Sequence, residues 1–161
     1  MKPPLLRPKL SAVMSRFSSF SAAALLAAAL IFQSAPAARA SVDDSHSAAM
    51  EIAVDAVKAG FKIRQEYWSG TLKSGEQKIV KQQLFKGNEY WFFLGTDAEK
   101  IGMKIDIFDR KGNKVTVETK TVDNATAIRV LAPATGTYLV VFSLTGKEND
   151  PIPWALAYGY R

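Results

Sequence analysis

The clearest strand in the sequence is GTYLVVFSL, residues Gly136–Leu144, which follows the turn-forming segment LAPAT at 131–135. Side chains of a strand alternate between its two faces. One face carries the large apolar residues Tyr138, Val140 and Phe142. The other face carries Leu139 and Val141, which are also apolar. The strand at 90–94 is likewise large and apolar on both faces. A strand that is apolar on both faces needs cover on both sides, so we expect both strands to lie between the core and a covering element.

Short strands with turns between them continue on both sides of this segment. They are predicted at 71–72, 78–85, 89–94, 103–108, 115–122, 126–131, 136–144 and 154–160. About eight strands at such close spacing predict a mostly β fold, an antiparallel jelly-roll-like β-sandwich. In the last strand, large residues alternate with Ala and Gly, which gives one large face and one smooth face.

An Ala-rich segment before the strands has the periodicity of a helix. Apolar residues recur at spacings of three and four over 48–67, and the polar residues 43–47 are suited to cap the helix N-terminus. Gly60 falls inside the pattern and weakens it. We expect this N-terminal α-helix to pack across the outside of one sheet. The alternative is that it docks on a partner protein.

Residues 1–40 have the layout of a secretory signal peptide. Basic residues come first, an apolar run covers 22–32, and the small residues Ala38 and Ala40 predict a cut after Ala40. The leader starts at either Met1 or Met14. The apolar run is much shorter than the roughly 20 residues that span a bilayer, so we expect no membrane span after cleavage. The predicted parts are a signal peptide at 1–40, a helix at 41–69 and a sandwich at 70–161, in a periplasmic or secreted protein.

Charge and composition exclude several classes of function. The chain has 21 Lys and Arg against 15 Asp and Glu. Five of the basic residues and none of the acidic ones lie in 1–40, so the remainder carries 16 basic and 15 acidic side chains. This balance predicts no nucleic-acid binding, which needs a surplus of positive charge. The absence of cysteine excludes thiol catalysis.

Three segments carry a resemblance to a known family. They are LFKGNEYWF at 84–92, IDIFD at 105–109 with GN at 112–113, and APATGTYLV at 132–140. With the closing strand at 154–160, they resemble the bacterial pre-peptidase C-terminal domain, a jelly-roll-like β-sandwich attached to many secreted peptidases. The resemblance covers roughly residues 71–160. It implies a non-catalytic, exported accessory or binding module, and some members of that family bind calcium, collagen or polysaccharide.

The sequence offers few residues for catalysis or metal binding. His46 is the single histidine, and we interpret it as a solvated residue of the segment before the helix because nothing nearby in the sequence suggests a catalytic nucleophile with an orienting partner. Asp106 and Asp109, near the Gly-Asn turn, are a candidate calcium site, although calcium takes six to eight oxygens. The alternative is that Asp109 caps the turn and Asp106 faces outward. We therefore expect no enzyme and no cofactor, with calcium as the one possible exception.

Aromatic residues are the remaining candidates for a ligand surface. A sugar-stacking platform would draw on Tyr67, Trp68, Tyr90, Trp91, Trp154, Tyr158 and Tyr160. Trp68 and Trp154 are the best candidates because each flanks a loop, while the alternative is that the aromatics fill the core. The predicted function is a binding or accessory domain for a carbohydrate or protein. The alternative function is a structural or assembly subunit of a periplasmic or cell-surface complex that docks through the helix.

Overall fold

The structure is a computed structural model that describes residues 36–115, 118–147 and 150–161. Helix α1 spans Pro36–Lys58, and nine strands follow it in the described ranges. The strands are β1 (Lys62–Ile63), β2 (Trp68–Leu72), β3 (Gln77–Leu84), β4 (Glu89–Gly95), β5 (Gly102–Phe108), β6 (Glu118–Val122), β7 (Ala125–Leu131), β8 (Gly136–Thr145) and β9 (Ile152–Tyr160). The predicted signal peptide lies outside the described residues, apart from residues 36–40 at the start of α1.

The strands form two antiparallel sheets. In the large sheet of six strands, β9 pairs with β4, β4 with β7, and β7 with β6, while β1 and β2 both pair with the other edge of β9. The small sheet has three strands in the order β3-β8-β5. The predicted mostly β fold, an antiparallel sandwich with one packed helix, is confirmed.

The main core lies between the two sheets, and the alternation of residues in β8 shows which side chains enter it. Tyr138, Val140 and Phe142, which the alternation places on one face, are all buried in this core. Trp154 and Leu156 of β9 reach the core from the large sheet. The rings of Phe142 and Trp154 meet edge to face with centroids 4.9 Å apart, a favoured aromatic geometry.

Helix α1 covers the outer face of the large sheet. Its apolar stripe packs on β4 and β7, in a second cluster made of Ala49, Ile52, Ala53, Ala56, Phe61, Phe93, Ala125 and Ala127. The cover predicted for the strand at 90–94 is therefore present on β4, but the cover expected over β8 is wrong. Small residues flank Phe93 in the neighbouring strands, Ala127 on one side and Ala157 on the other, and leave room for a helix. On β8, Leu139 and Val141 stay partly exposed.

The helix ends earlier than its apolar periodicity predicts. It stops at Lys58 because Gly60 adopts a φ of +88°, which residues other than glycine rarely take. Two backbone hydrogen bonds of 3.0 Å close the end as a Schellman motif, from Gly60 N–H to Val57 O and from Phe61 N–H to Ala56 O. The apolar pattern continues beyond Gly60, but its residues form β1 and lead into β2.

The helix also begins earlier than the predicted 48–67, so the polar segment 43–47 lies inside it and does not cap it. The reason is visible at Ser45, which is fully buried. Its hydroxyl donates to the carbonyl of Ser41 at 2.8 Å and accepts the backbone N–H of Asp97 at 3.1 Å. A serine can bond to the carbonyl four residues before it within a helix. These bonds attach α1 to the turn after β4.

The closest approach of α1 to the sheet is at Gly95, the last residue of β4. A Cβ atom at Gly95 would lie 2.5 Å from the backbone nitrogen of Ala49 and would also clash with the carbonyl of Ser45. Both of these atoms belong to the helix backbone and cannot rotate away. Glycine at position 95 is therefore what lets the helix lie directly on the strand.

An ionic cluster ties the end of β9 to its neighbours. The carboxylate of Glu89 accepts hydrogen bonds from Arg129 at 2.7 Å and from Nε of Arg161 at 2.8 Å. Arg161 also donates to the carbonyl of Ala59, just after α1, at 2.8 Å, and its guanidinium lies 4.6 Å from the centroid of the Phe61 ring. One carboxylate thus joins β4, β7, β9 and the end of the helix.

We expect this cluster to make stability depend on pH. The hydrogen bond from Arg129 holds the pKa of Glu89 below its ordinary value. A carboxyl group with a lowered folded pKa adds stability above its unfolded pKa, and that stability is lost as the pH falls through the folded pKa. Glu89→Gln should lower the free energy of unfolding at pH 7 by about 1 kcal/mol. It should also flatten the fall in stability under acidic conditions.

Urea unfolding of both proteins between pH 7 and pH 3 measures this difference. Glu118→Gln is the matched control, because Glu118 also contacts Arg129, at 3.1 Å, but its side chain is 64% exposed. Glu118→Gln should change the free energy of unfolding and its pH dependence little. If Glu89→Gln follows the pH dependence of the unaltered protein, Glu89 is not the group responsible.

Candidate binding cleft

An open cleft of about 290 Å³ lies where the end of β9 faces the edge strand β3 of the small sheet. Its lining combines aromatic rings, amides and a single guanidinium, from Arg64, Gln82, Gln83, Phe85, Asn88, Tyr90, Tyr158 and Tyr160. The large sheet has six strands and the small sheet has three. Part of the core-side face of the large sheet therefore extends past the small sheet. The cleft occupies this overhang.

Strand alternation explains which side chains point into the cleft. On β9, Tyr158 and Tyr160 share the core-side face with Leu156, but both are only half-buried. On β3, Gln82 shares the core-side face with the buried residues Val80 and Leu84. Gln82 thus places an amide between two buried residues of β3, while Tyr158 and Tyr160 form the partly exposed end of the core-side face of β9, and the cleft lies between them.

The aromatic rings around the cleft hold one another in place. Trp68 of β2 is half-buried, and its ring centroid lies 5.6 Å from that of Tyr158. Tyr158 in turn lies 5.9 Å from Phe92 of the core, while Tyr90 and Tyr160 are 6.3 Å apart. Trp68 was predicted as a ligand residue, and the structure places it beside the cleft as the neighbour of Tyr158. The row of rings is anchored in the core at one end and reaches solvent at the other.

Arg64 is the only charged residue among the described residues that line the cleft. Its backbone N–H donates to the carbonyl of Tyr158 at 2.9 Å, which fixes it beside β9. Its guanidinium Nε lies 3.4 Å from the carboxylate of Glu66, and that carboxylate raises the pKa of Arg64 further. The side chain is 46% exposed, so it keeps donors available for a ligand.

Trp154, the other tryptophan predicted to bind a ligand, lies away from this cleft surface. It is 3% exposed and packs in the core against Phe142. Its ring also lies against Gly70 of β2, where an added Cβ would be 3.3 Å from the indole. Its Nε1 atom has no hydrogen-bond partner among the described residues. The ring offers no surface on which a ligand could stack.

The two aspartates of the candidate calcium site are engaged within the chain. Asp109 Oδ1 accepts the backbone N–H of Asn113 at 2.8 Å, and Oδ2 accepts its side-chain amide at 3.0 Å. The hydrogen bond from the side-chain amide of Asn113 lowers the pKa of Asp109. Asp106 lies 2.5 Å from Nζ of Lys114. Among the described residues, no group of three His, Asp or Glu side chains is placed to hold a metal ion.

His46 does not lie in a solvated segment, and that interpretation is wrong because the helix begins at Pro36. The imidazole is half-buried on α1 and stacks on Tyr67 with ring centroids 3.9 Å apart. This contact fixes the chain just before β2.

A larger depression of about 370 Å³ lies at the opposite end of β9. The described part of its lining comes from 98–101, 146–147 and 150–153 and contains no aromatic side chain. Aliphatic, proline and scattered charged residues give no platform for stacking and no convergent set of hydrogen-bonding groups. The smaller aromatic cleft is therefore the better candidate site.

No family model and no curated protein matches this chain. Within the described ranges, no helix is both long enough and apolar enough to cross a bilayer. The resemblance to the pre-peptidase C-terminal domain stays a prediction. The candidate site therefore depends on its own geometry.

Sequence reasoning found the aromatic residues of the cleft but missed its polar ones. Arg64 comes just after β1, which pairs with β9, whereas Gln82 lies on β3 of the other sheet. Pairing within the large sheet and packing of the two sheets bring both residues near Tyr158. One signal was available for Gln82. Its place on the core-facing side of an alternating strand is unusual for an amide and indicates an opening in the core.

Proposed function

We propose that the protein is a non-catalytic binding module whose aromatic cleft binds a polysaccharide. The observation that carries the proposal is the meeting of half-exposed rings with Gln82, Asn88 and Arg64 in one open cleft. Tyrosine rings stack on the apolar faces of sugar rings, while amides and guanidinium groups exchange hydrogen bonds with hydroxyl groups. The volume of about 290 Å³ lies just below the usual range for ligand pockets, which starts at about 300 Å³.

Export is the second part of the proposal. The basic, apolar and small-residue order within 1–40 supports a periplasmic or secreted location. The sandwich is also the fold expected from the resemblance to the pre-peptidase C-terminal domain, whose members act as accessory modules. A binding module outside the cytoplasm meets polysaccharides of the cell envelope or of the surroundings.

The alternative, assembly through the apolar stripe of α1, has less support. Ala49, Ile52 and Ala53 of that stripe are already buried against the large sheet. Docking on a partner through the same stripe would first have to detach the helix. The cleft needs no such rearrangement.

Polysaccharide binding is tested by affinity electrophoresis and by thermal shift of the full-length protein against a panel of neutral and acidic polysaccharides. At least one polymer should bind. Tyr158→Ala should weaken that binding by about tenfold, because the change removes the central stacking ring, worth roughly 1 kcal/mol or more. Trp68→Ala should weaken it less, since Trp68 acts by supporting Tyr158.

Tyr67→Ala is the matched control for this experiment. It removes the same chemical group from an exposed tyrosine that stacks on His46 outside the cleft. Binding by this variant should be unchanged. The proposal fails if no polymer binds, or if the variants at positions 67 and 158 lose binding equally.

A further inference from the structure

We propose that copies of this chain associate head to tail, with the outer face of α1 in one copy contacting the outer face of the small sheet in the next. The described domain has three layers in the order helix, large sheet and small sheet. Its two outermost faces are therefore on opposite sides of the molecule. The inference concerns surfaces other than the aromatic cleft, so it goes beyond the proposed binding function.

The outer face of the small sheet has an apolar centre. Its outward residues include Ile79 of β3, Leu139 and Val141 of β8, and Phe108 of β5. The strand register places Ile79 opposite Val141 and Phe108 opposite Leu139, so the four side chains adjoin. Ile79 is 53% exposed, and the other three are partly exposed. No described element covers them.

Lysines surround this apolar centre, and together they form what we call the basic face. Lys81 lies opposite Leu139 in the register, and Lys104 lies on the same face of β5. Lys114 binds Asp106, whose carboxylate also lies 3.8 Å from Nζ of Lys104. Asp106 is the one acidic residue among these outward residues, and its side chain is only 17% exposed. The face therefore presents a net positive charge.

The outer face of α1, which we call the acidic face, has the opposite character. At its centre Val54 and Val57 are 47% and 51% exposed, although helices of soluble proteins usually present polar residues there. Four exposed acidic residues lie along the same helix, with Glu51 and Asp55 near the valines and Asp43 and Asp44 nearer its N-terminus. Two lysines pair with Asp55, since Nζ of Lys58 lies 3.9 Å and Nζ of Lys120 lies 2.6 Å from its carboxylate. The four acidic residues still exceed these two basic ones, so the face carries a net negative charge.

The two faces complement each other, because each has an apolar centre and their net charges are opposite. Contact between the acidic face of one copy and the basic face of the next would cover both apolar centres and bring opposite charges together. A symmetric dimer through either face would bring like charges together instead. Because each copy carries both faces, the contact is heterologous and extends into a chain of copies. The apolar centres are small, so the association is weak and depends on salt.

The test uses sedimentation velocity of the full-length protein over a range of concentrations. The average mass should rise with concentration at low salt and return to that of the monomer at 1 M salt, where the Debye length is about 3 Å. A basic-face variant, Lys81→Glu with Lys104→Glu, should lose self-association by about tenfold or more. An acidic-face variant, Asp44→Lys with Glu51→Lys, should lose it to the same extent.

Mixing the two variants distinguishes head-to-tail contact from other modes. In the mixture, each acidic surface again has a basic surface to meet, so association should return. Lys73→Glu with Lys86→Glu is the matched control, since it changes the net charge equally at lysines outside both faces, and it should associate like the unaltered protein. A monomer at every concentration overturns the inference. So does an acidic-face variant that still self-associates, because that result indicates a symmetric dimer.

Discussion

Gly95→Ala should lower the free energy of unfolding by about 2–3 kcal/mol and should free the helix from the sheet. The added methyl group would lie 2.5 Å from the backbone nitrogen of Ala49, where neither backbone can yield by changing a rotamer. Relief requires α1 to move outward, which would weaken the contacts of Ile52 and Ala53 with Phe93. In urea, the variant should unfold at a lower concentration than the unaltered protein.

Hydrogen exchange shows whether the helix is the part affected. Amides of α1 should lose protection in Gly95→Ala, while amides of β8 in the small sheet should keep most of theirs. Gly136→Ala is the matched control, because no atom lies within 4 Å of a Cβ placed there. Replacing glycine by alanine in a strand is ordinarily neutral or slightly stabilising, so the two variants should differ in sign. A Gly95→Ala protein as stable as the control would contradict the close packing of α1.

Phe142→Ala should destabilise the protein by about 3–5 kcal/mol, the largest effect we expect from a single change in the core. Phe142 is 1% exposed at the middle of β8 and contacts the ring of Trp154 edge to face. The substitution removes this contact and leaves a cavity between the two sheets. Thermal and urea unfolding measure the loss.

Two adjacent valines provide an internal control for this second prediction. Val140 is fully buried in the core, whereas Val141 lies on the outer face of β8 and is partly exposed. Val140→Ala should cost roughly 1–3 kcal/mol, because it leaves an apolar cavity. Val141→Ala should cost less than 1 kcal/mol, because less of that side chain is buried. Equal losses at the two positions would contradict the assigned faces of the strand.

Strand alternation allowed much of the sandwich to be predicted from sequence. The inward residues of β8 and the large and small faces of β9 follow from a period of two residues, which depends on backbone geometry alone. The helix ends were harder to predict. Gly60 ends α1 through its backbone conformation, while the apolar spacing continues beyond it. Serine is a residue type typical of helix N-caps, but Ser45 lies inside the helix and makes hydrogen bonds to Ser41 and Asp97.

Sheet pairing could not be predicted from the sequence, and both the helix position and the cleft depend on it. Nothing in the local pattern of β8 or β4 shows which strand receives α1. That choice follows from the small residues at 125, 127, 155 and 157, which come from strands that are distant in the sequence. The cleft is missed for the same reason, because Gln82 and Tyr158 meet only when the two sheets have formed.

The position of β9 within the large sheet has a consequence for the order of folding. The strand Ile152–Tyr160 is paired on both sides, with β1 and β2 on one edge and with β4 on the other. The central ladder of the sheet thus cannot close until this late segment of the chain has been synthesised. A growing chain lacks this central strand, and pairings over such long sequence separations form slowly.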